Sequence, residues 1–541
     1  MTLPSNRRDL LRLAATSALA TSLPRWAWSQ TLRQRDLFPL GVASGAPSAD
    51  GFVLWTRLLA GPVPGTASAG NDAPPLNGPV TVQWQVADDE AFTRTVRSGE
   101  ATAHPALGHS VHVEIKGLRP DRWYFYRFMH GDAVTPVART RTVPAADALV
   151  AHMRVAYASC QRWEQGHYAG YRHMANDNPD LVLFLGDYIY EYAMPAKAPG
   201  TPLVRTHTLQ VAENLQDFRD RYALYKTDQH LQAMHRACPW LVSWDDHEVQ
   251  NDYAGLIGTG VSEATFQQRR QAGYQAFYEN MPLRAGALVR GVQGLASNSA
   301  VRVHTRTSYG RLATFHMLDT RQFRDLEPCR VAGERAGGAL SNQTCPARAD
   351  PSRSMLGTAQ EQWLDQGLAQ DSADGRTRWS VLAQQTLFSQ RIVKAAPQNS
   401  FSPNTWDGYP AARQRVLDAL QARSPRNAVF LGGDIHQNVV CQVHADVARP
   451  DSPVIASEFC GTSLSSASGV PQSSMDAIRA RNPHILLARS DRRGYVVADI
   501  SPTEWTTHLR VLDDVSREDS GVSTLARFMT SDGRPGTERV G

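Results

Sequence analysis

Two hydrophobic rhythms divide the chain. Between residues 38 and 145, short apolar stretches recur with period two. Phe52-Val53-Leu54-Trp55 is a compact run, Val80–Val86 reads Val-Thr-Val-Gln-Trp-Gln-Val, and Val111–Ile115 and Trp123–Phe128 repeat the alternation. Turn-rich pieces, Gly61–Gly78 and Gly117–Pro120, separate them. Alternation sends successive side chains to opposite faces, so these segments predict short strands and together a small β-sandwich. From Arg154 onward the pattern changes to apolar strands alternating with amphipathic helices. Five apolar runs, Val155–Ala158, Leu181–Leu185, Trp240–Trp244, Leu312–Leu318 and Ala428–Leu431, each end in reactive residues. The endings are Ser159-Cys160, Gly186-Asp187, Asp245-Asp246-His247-Glu248, Asp319-Thr320-Arg321 and Gly433-Asp434-Ile435-His436. In α/β sheets the loops leaving the carboxyl ends of the strands converge on the ligand, so the five endings predict one site.

The first residues follow neither rhythm. Asn6-Arg7-Arg8-Asp9 precedes a modest apolar stretch, Leu10–Leu23, and Ala27-Trp28-Ser29 follows as a small-x-small cleavage site. The paired Arg before the apolar stretch reads as a twin-arginine export signal over residues 1–29, with an ordinary export signal as the alternative. That divides the chain into 1–29 as signal peptide, 30–148 as the β-sandwich and 149–541 as the catalytic domain. The stretch is too short and too rich in Ala, Ser and Thr to span a bilayer, and no other apolar run reaches that length, so no stable membrane insertion is expected. A twin-arginine passenger crosses folded, which suits a protein loaded with its cofactor beforehand and destined for the periplasm or the exterior.

Composition narrows the class. Hydrophobic residues make up 42% and charged residues 20% of the 541, close to the globular norm, which excludes wholesale disorder. The net charge of +4 comes mostly from the arginines of the leader, so specific nucleic-acid binding is not expected. Of six cysteines, Cys329 and Cys345 flank a Gly/Ala/Arg-rich loop and are the best-placed disulfide pair; Cys441 with Cys460 is the weaker pair. His104, His109 and His112 lie close together in the sandwich but read as strand-end histidines rather than as a metal site.

The strand endings carry the chemistry. Gly186-Asp187-Tyr188-Ile189-Tyr190 sets a carboxylate at a strand end and a phenol three residues on. A carboxylate can bridge two cations. A phenol with an ordinary pKa near 10 ligates only a strongly Lewis-acidic ion, which points to Fe3+. Cys160 would add a thiolate. Asp434 and His436, two apart just past a strand, reach into one site. Asp246 supplies a hard oxygen suited to Ca2+, Mg2+ or Mn2+. His247 is placed to touch a substrate rather than a metal.

The order of these blocks resembles the metallophosphoesterase superfamily and, within it, the purple acid phosphatases. Gly186-Asp187-x-x-Tyr190 matches the second block of that pattern. Asp246-His247-Glu248 stands in the third with Asp for Asn, and Gly433-Asp434-Ile435-His436 in the last with Asp for the first His. Cys160 stands where the first Asp would be, and Val381–Gln384 where a strand would end in His. This set of departures resembles the PhoD-type alkaline phosphatases. Further blocks support it: Gly41–Gly45, Leu54–Arg57, Ala158–Cys160, Arg219–Tyr222, Trp244–Glu248, Asn251–Tyr253, Leu318–Phe323 and Trp406–Tyr409.

The resemblance implies an α/β fold, a metallophosphoesterase-like αββα sandwich preceded by the small β-sandwich. It implies Fe3+ held by Cys160, Asp187, Tyr190 and His436, with Asp187 bridging to Ca2+ on Asp246 and Asp434. His247 would contact the phosphate and protonate the leaving oxygen. Gln384 and Asn251 are weaker candidates near the calcium, and Arg162, Arg219 and Arg321 are candidate phosphate binders. The expected function is an exported phosphatase or phosphodiesterase that scavenges phosphate. Small phosphate esters would be hydrolysed by attack of a metal-bound oxide or hydroxide. The alternatives are a narrower phosphodiesterase of phospholipase D-like type and, more remotely, an exported binding protein without catalysis.

Overall fold

The computed structural model describes residues 37–66, 76–195, 203–291, 301–335, 337–373, 377–394, 399–447, 449 and 451–541. The expected signal peptide, 1–29, lies outside the described residues.

The larger portion of the chain is built on two stacked sheets. At the centre of a ten-stranded sheet, Met153–Ala158, Leu181–Leu185 and Trp240–Ser243 run parallel. In a seven-stranded sheet, Ala313–Met317, Trp379–Ala383, Ala428–Gly432 and Val454–Cys460 run parallel. Period two decides which layer each side chain joins. Val155 and Tyr157 turn inward and meet Phe315, Val381 and Val429 across the inter-sheet core. Ala156 and Ala158 turn outward under Tyr171, Phe218, Leu231 and Phe277. These lie on the helices Ala169–Asn176, Leu215–Lys226, Gln229–Ala237 and Glu263–Asn280. On the far side, Leu382 and Phe430 pack beneath Leu364 and Leu417 of Thr358–Ser372 and Pro410–Arg423. The expected αββα sandwich is therefore present. Each fully buried Leu or Phe in these layers contributes about 1.5–3 kcal/mol relative to exposure.

The N-terminal strands form the expected sandwich but share a sheet with the rest. Val80–Ala87, Thr95–Ala103 and Trp123–His130 belong to a separate five-stranded sheet. Facing it are Val42–Ser48, Gly51–Arg57 and Ser110–Ile115, which continue the ten-stranded sheet. Phe52 and Leu54 from one side meet Val82, Val86, Tyr126 and Phe128 from the other. The join is Gly45, paired in parallel with Trp240. A Cβ at Gly45 would stand 2.7 Å from the Trp240 carbonyl oxygen, so only glycine lets the two strands meet.

Strands the apolar pattern did not announce complete the sheets. Thr95–Ala103 reads Thr-Val-Arg-Ser-Gly-Glu-Ala-Thr-Ala and is largely exposed. Gly494–Ile500 pairs antiparallel with Met153–Ala158, so the end of the chain returns to the middle of the ten-stranded sheet.

Cys329 and Cys345 form the expected disulfide. The weaker expected pair is not formed: Cys441 and Cys460 are free and buried. Strand register explains it, because Cys441 sits opposite Glu458 and Cys460 opposite Val439. The three N-terminal histidines serve the fold. His104 caps the turn Pro105–Leu107, and His109 bonds the Gly78 carbonyl at 3.0 Å. His112 stacks half-buried on Tyr278, and desolvation there lowers its pKa to about 4.

Candidate metal centre

The six expected ligands all sit at the carboxyl ends of parallel strands. Four of them, Cys160, Asp187, Asp434 and His436, have φ between 56° and 62°. Non-glycine residues in this left-handed region cost on the order of 1–3 kcal/mol each, and such strain clusters at functional sites. The turn folds each side chain back over the strand ends. Gly186 makes room for it: a Cβ there would stand 2.5 Å from Cβ of Asp245.

These turns bring Cys160, Asp187 and His436 together, with one ligand atom from each within 4.8 Å of the others. Tyr190 closes the set. Its hydroxyl donates to Asp187 Oδ2 at 3.0 Å, lies 3.3 Å from His436 Nε2 and accepts from Ser466 Oγ at 2.8 Å. His436 Nδ1 lies 2.8 Å from the Ala467 carbonyl. A carbonyl only accepts, so Nδ1 carries the proton and the Nε2 lone pair faces the cluster. Asp187, Asp246 and His247 form a second group within the same 4.8 Å limit. Asp434 approaches this group through Arg321, whose Nη2 lies 3.3 Å from Asp246 and 3.9 Å from Asp434.

The charge balance of the pair of groups is lopsided. Asp187, Asp245, Asp246 and Asp434 converge with Arg321 and His247 as their basic partners, and Cys160 and Tyr190 stand among them. Burial, reinforced by Asp246, Asp245 and Glu248, pushes the Asp187 carboxyl well up. Burial and Asp187 push up the Cys160 thiol and the Tyr190 phenol. Burial also opposes ionisation of Asp246, but Arg321 and His247 outweigh it and hold that carboxyl low. A thiol, a phenol, an imidazole lone pair and carboxylates packed together in this way lack positive charge. Bound cations would supply it and would deprotonate the thiol and phenol. The donor set thus fits a soft-and-phenolic site beside an all-oxygen one.

A supporting frame, not anticipated from the sequence, holds these groups. Glu248 is fully buried and accepts three backbone N–H bonds, from Asp187 at 3.1 Å, Tyr188 at 2.6 Å and Asp245 at 2.8 Å. It ties the loop carrying Asp187 to the loop carrying Asp246. Burial still lifts its pKa to about 7 against the pull of those N–H groups. Glu191 accepts from His247 Nδ1 at 2.6 Å and from the Asn251 amide at 2.9 Å. Ser466 spans the Cys160 carbonyl and Tyr190. Glu248 stands inside a recognisable block and Glu191 directly follows Tyr190, so their positions were visible though their roles were not. Ser466 lies in a Ser-rich stretch without any signal.

The weaker candidates sort themselves by geometry. Gln384 is consumed in a turn: its Oε1 accepts from Thr386 N and Trp406 Nε1, both at 3.1 Å, and its amide bonds the Thr386 carbonyl. Asn251 is engaged with Asp252 at 2.7 Å. Arg219 is spent on Glu279, away from the centre, and Arg321 is buried against Asp245, Asp246 and Asn404. Arg162, paired with Glu164 at 3.2 Å, lies 5.7 Å over the Tyr190 ring and 5.1 Å over Tyr192, next to the centre.

Comparison with known proteins identifies the family. Residues 155–509 match the PhoD-like phosphatase family, and residues 25–144 match the PhoD-like phosphatase N-terminal domain. The chain is 40% identical over 506 residues to alkaline phosphatase D of Bacillus subtilis (strain 168), covering 93% of this chain and 82% of that one. The solved structure of PhoD superposes with a TM-score of 0.84 at 40% identity, over 93% of this chain and 92% of that one. The family match, the identity and the shared fold together set aside the non-catalytic binding protein: the chain belongs to the PhoD-like phosphatase family and is a phosphoric ester hydrolase.

Proposed function

We propose that this enzyme is an exported, metal-dependent phosphatase of small phosphate esters, with iron and calcium in one centre. The observation that carries the reading is the convergence of a thiol, a phenol, an imidazole and a carboxylate at Cys160, Tyr190, His436 and Asp187. Fe3+ would be held by these four, and Ca2+ by Asp187, Asp246 and Asp434. Such cations polarise the phosphoryl oxygens, lower the pKa of the attacking water and neutralise charge on the transferring group.

The chain's own residues supply the rest. His247 has Nδ1 fixed by Glu191, which leaves Nε2 for the substrate. Burial disfavours its charge, but Glu191, Asp187 and Asp246 overcome this and raise its pKa well above the ordinary value. The Glu191 carboxylate on Nδ1 favours the imidazolium, from which Nε2 can protonate the leaving oxygen. Arg162, stacked on Tyr190 and Tyr192, is positioned to receive the phosphate. Arg7-Arg8 and the apolar stretch after it direct the chain through the twin-arginine route to the periplasm or the exterior, where phosphate scavenging is the role. No described helix is long and apolar enough to cross a membrane.

The test is hydrolysis of p-nitrophenyl phosphate by the metal-loaded protein and its Asp187→Asn variant. Loss of a carboxylate shared by both groups is expected to lower kcat/KM by about three orders of magnitude, the scale of removing one main electrostatic stabiliser. Activity within tenfold of the parent would contradict the role given to Asp187.

A further inference from the structure

Beside the centre lies a cavity of about 570 Å3 whose walls include Glu191, Tyr192, Asn251, Asp252, Arg269 and Arg335. Tyr192 joins it to the centre, because its ring also packs edge-on against His247 with centroids 5.1 Å apart. Asp252, another wall residue, donates its backbone N–H to Asp246 at 2.7 Å, so the cavity adjoins the centre and would receive the alcohol part of an ester whose phosphoryl group lies there.

The polar groups of the wall are unequally satisfied. Its carboxylates are engaged internally. Glu191 holds His247 and the Asn251 amide, and Asp252 accepts from the Asn251 and Asn404 side chains. Its cations are engaged only in part. Arg269 is 6% exposed, donates through Nε to the Val249 carbonyl at 3.1 Å, and keeps a buried Nη2 without a partner. Arg335 is exposed and has no ion pair among the described residues. A buried guanidinium donor without an acceptor is unfavourable, and an anionic ligand would supply the acceptor. Arg335 stands on the loop closed by Cys329–Cys345. That loop is anchored at the cavity rim by Arg330, which donates to the Asp252 carbonyl at 2.5 Å and to Thr259 Oγ1 at 2.6 Å.

We propose that this cavity is the leaving-group subsite, and that Arg335, with Arg269 behind it, selects phosphate esters whose alcohol part carries a second phosphate. The inference rests on the phosphatase reading above. In the reaction, water gives the oxygen that joins phosphorus, the P–O bond to the alcohol breaks with its electron pair on the alcohol oxygen, and His247 returns a proton there. The second phosphate stays on the departing alcohol, held by the arginines.

The experiment compares propane-1,3-diol bisphosphate with n-propyl phosphate on the metal-loaded full chain, read as released inorganic phosphate. p-Nitrophenyl phosphate serves as the activity control. The parent is expected to prefer the bisphosphate by about tenfold in kcat/KM, well above the roughly twofold advantage of carrying two equivalent phosphates. Arg335→Ala should collapse that ratio through KM, and Arg335→Lys should keep a large part of it. A parent without the preference, or a ratio unchanged in Arg335→Ala, overturns the subsite. Absence of turnover with p-nitrophenyl phosphate as well would instead overturn the functional reading beneath it.

Discussion

Glu248 offers the sharpest view of how the strand-end loops are held. Its Oε2 accepts the N–H groups of Asp187 and Asp245, and its Oε1 accepts that of Tyr188. Glu248→Gln keeps the shape but turns one acceptor into a donor. In the better of the two amide orientations the NH2 replaces Oε1 and faces the Tyr188 N–H, leaving one buried donor unpaired at about 1–3 kcal/mol. The other two bonds change from charge-assisted to neutral and lose roughly 1 kcal/mol each. The sum is about 3–5 kcal/mol at pH 8.5, where a carboxyl with a pKa of about 7 is ionised. Because the two loops carry Asp187 and Asp246, the same change should misplace the centre. A shift on the order of 1 Å costs about a hundredfold in rate. The assay is scanning calorimetry together with p-nitrophenyl phosphate kinetics at pH 8.5, and Glu248→Asp, which keeps the charge, should lie between parent and Gln. A Gln variant with the parent's melting temperature and rate would refute the claim that these three bonds hold the loops.

Three further outcomes follow from other parts of the molecule. Lys226 is buried over Trp55, 4.2 Å from its ring, and burial followed by repulsion from Arg57 lowers its pKa from 10.5 to about 7. The folded state therefore binds fewer protons than the unfolded state between those values, so its contribution makes stability rise with pH from about 7 to 10.5 and fall away towards 7. Lys226→Met should flatten that slope in pH-dependent denaturation, and an unchanged slope would refute it. Replacing both Cys329 and Cys345 by Ser should lower stability by about 3 kcal/mol, the chain-entropy value for a loop of this size, measured by denaturant melts under matched conditions. His247→Asn should lower kcat by about 10²–10⁴-fold, the range for losing a positioned acid, and lose less on esters of good leaving alcohols. An equal loss on good and poor leaving groups would remove the acid role.

Legibility from sequence followed the physics of each feature. Buried parallel strands must be apolar on both faces, so Leu181–Leu185 and Ala428–Leu431 announced themselves, and the reactive residues at their ends came with them. Edge and half-exposed strands carry no such demand, and Thr95–Ala103 gave no pattern to read. The shared sheet was hidden because it depends on a Gly45–Trp240 pairing across a sequence distance that no local rhythm records. Within the centre, the candidate ligands were visible because thiol, phenol and carboxylate have distinct chemistry. The frame behind them was not. Glu248, Glu191 and Ser466 act through backbone and side-chain bonds that exist only once the loops have met. Arg321 likewise reads as a phosphate binder in sequence, yet it is buried against three aspartates of the centre.

The claim that one centre of iron and calcium drives hydrolysis is tested most directly by metal analysis coupled to turnover. The folded protein should contain both iron and calcium. Treatment with EGTA should remove calcium and activity on p-nitrophenyl phosphate together, and added calcium should restore both. Full turnover by protein shown to contain neither metal would contradict the account.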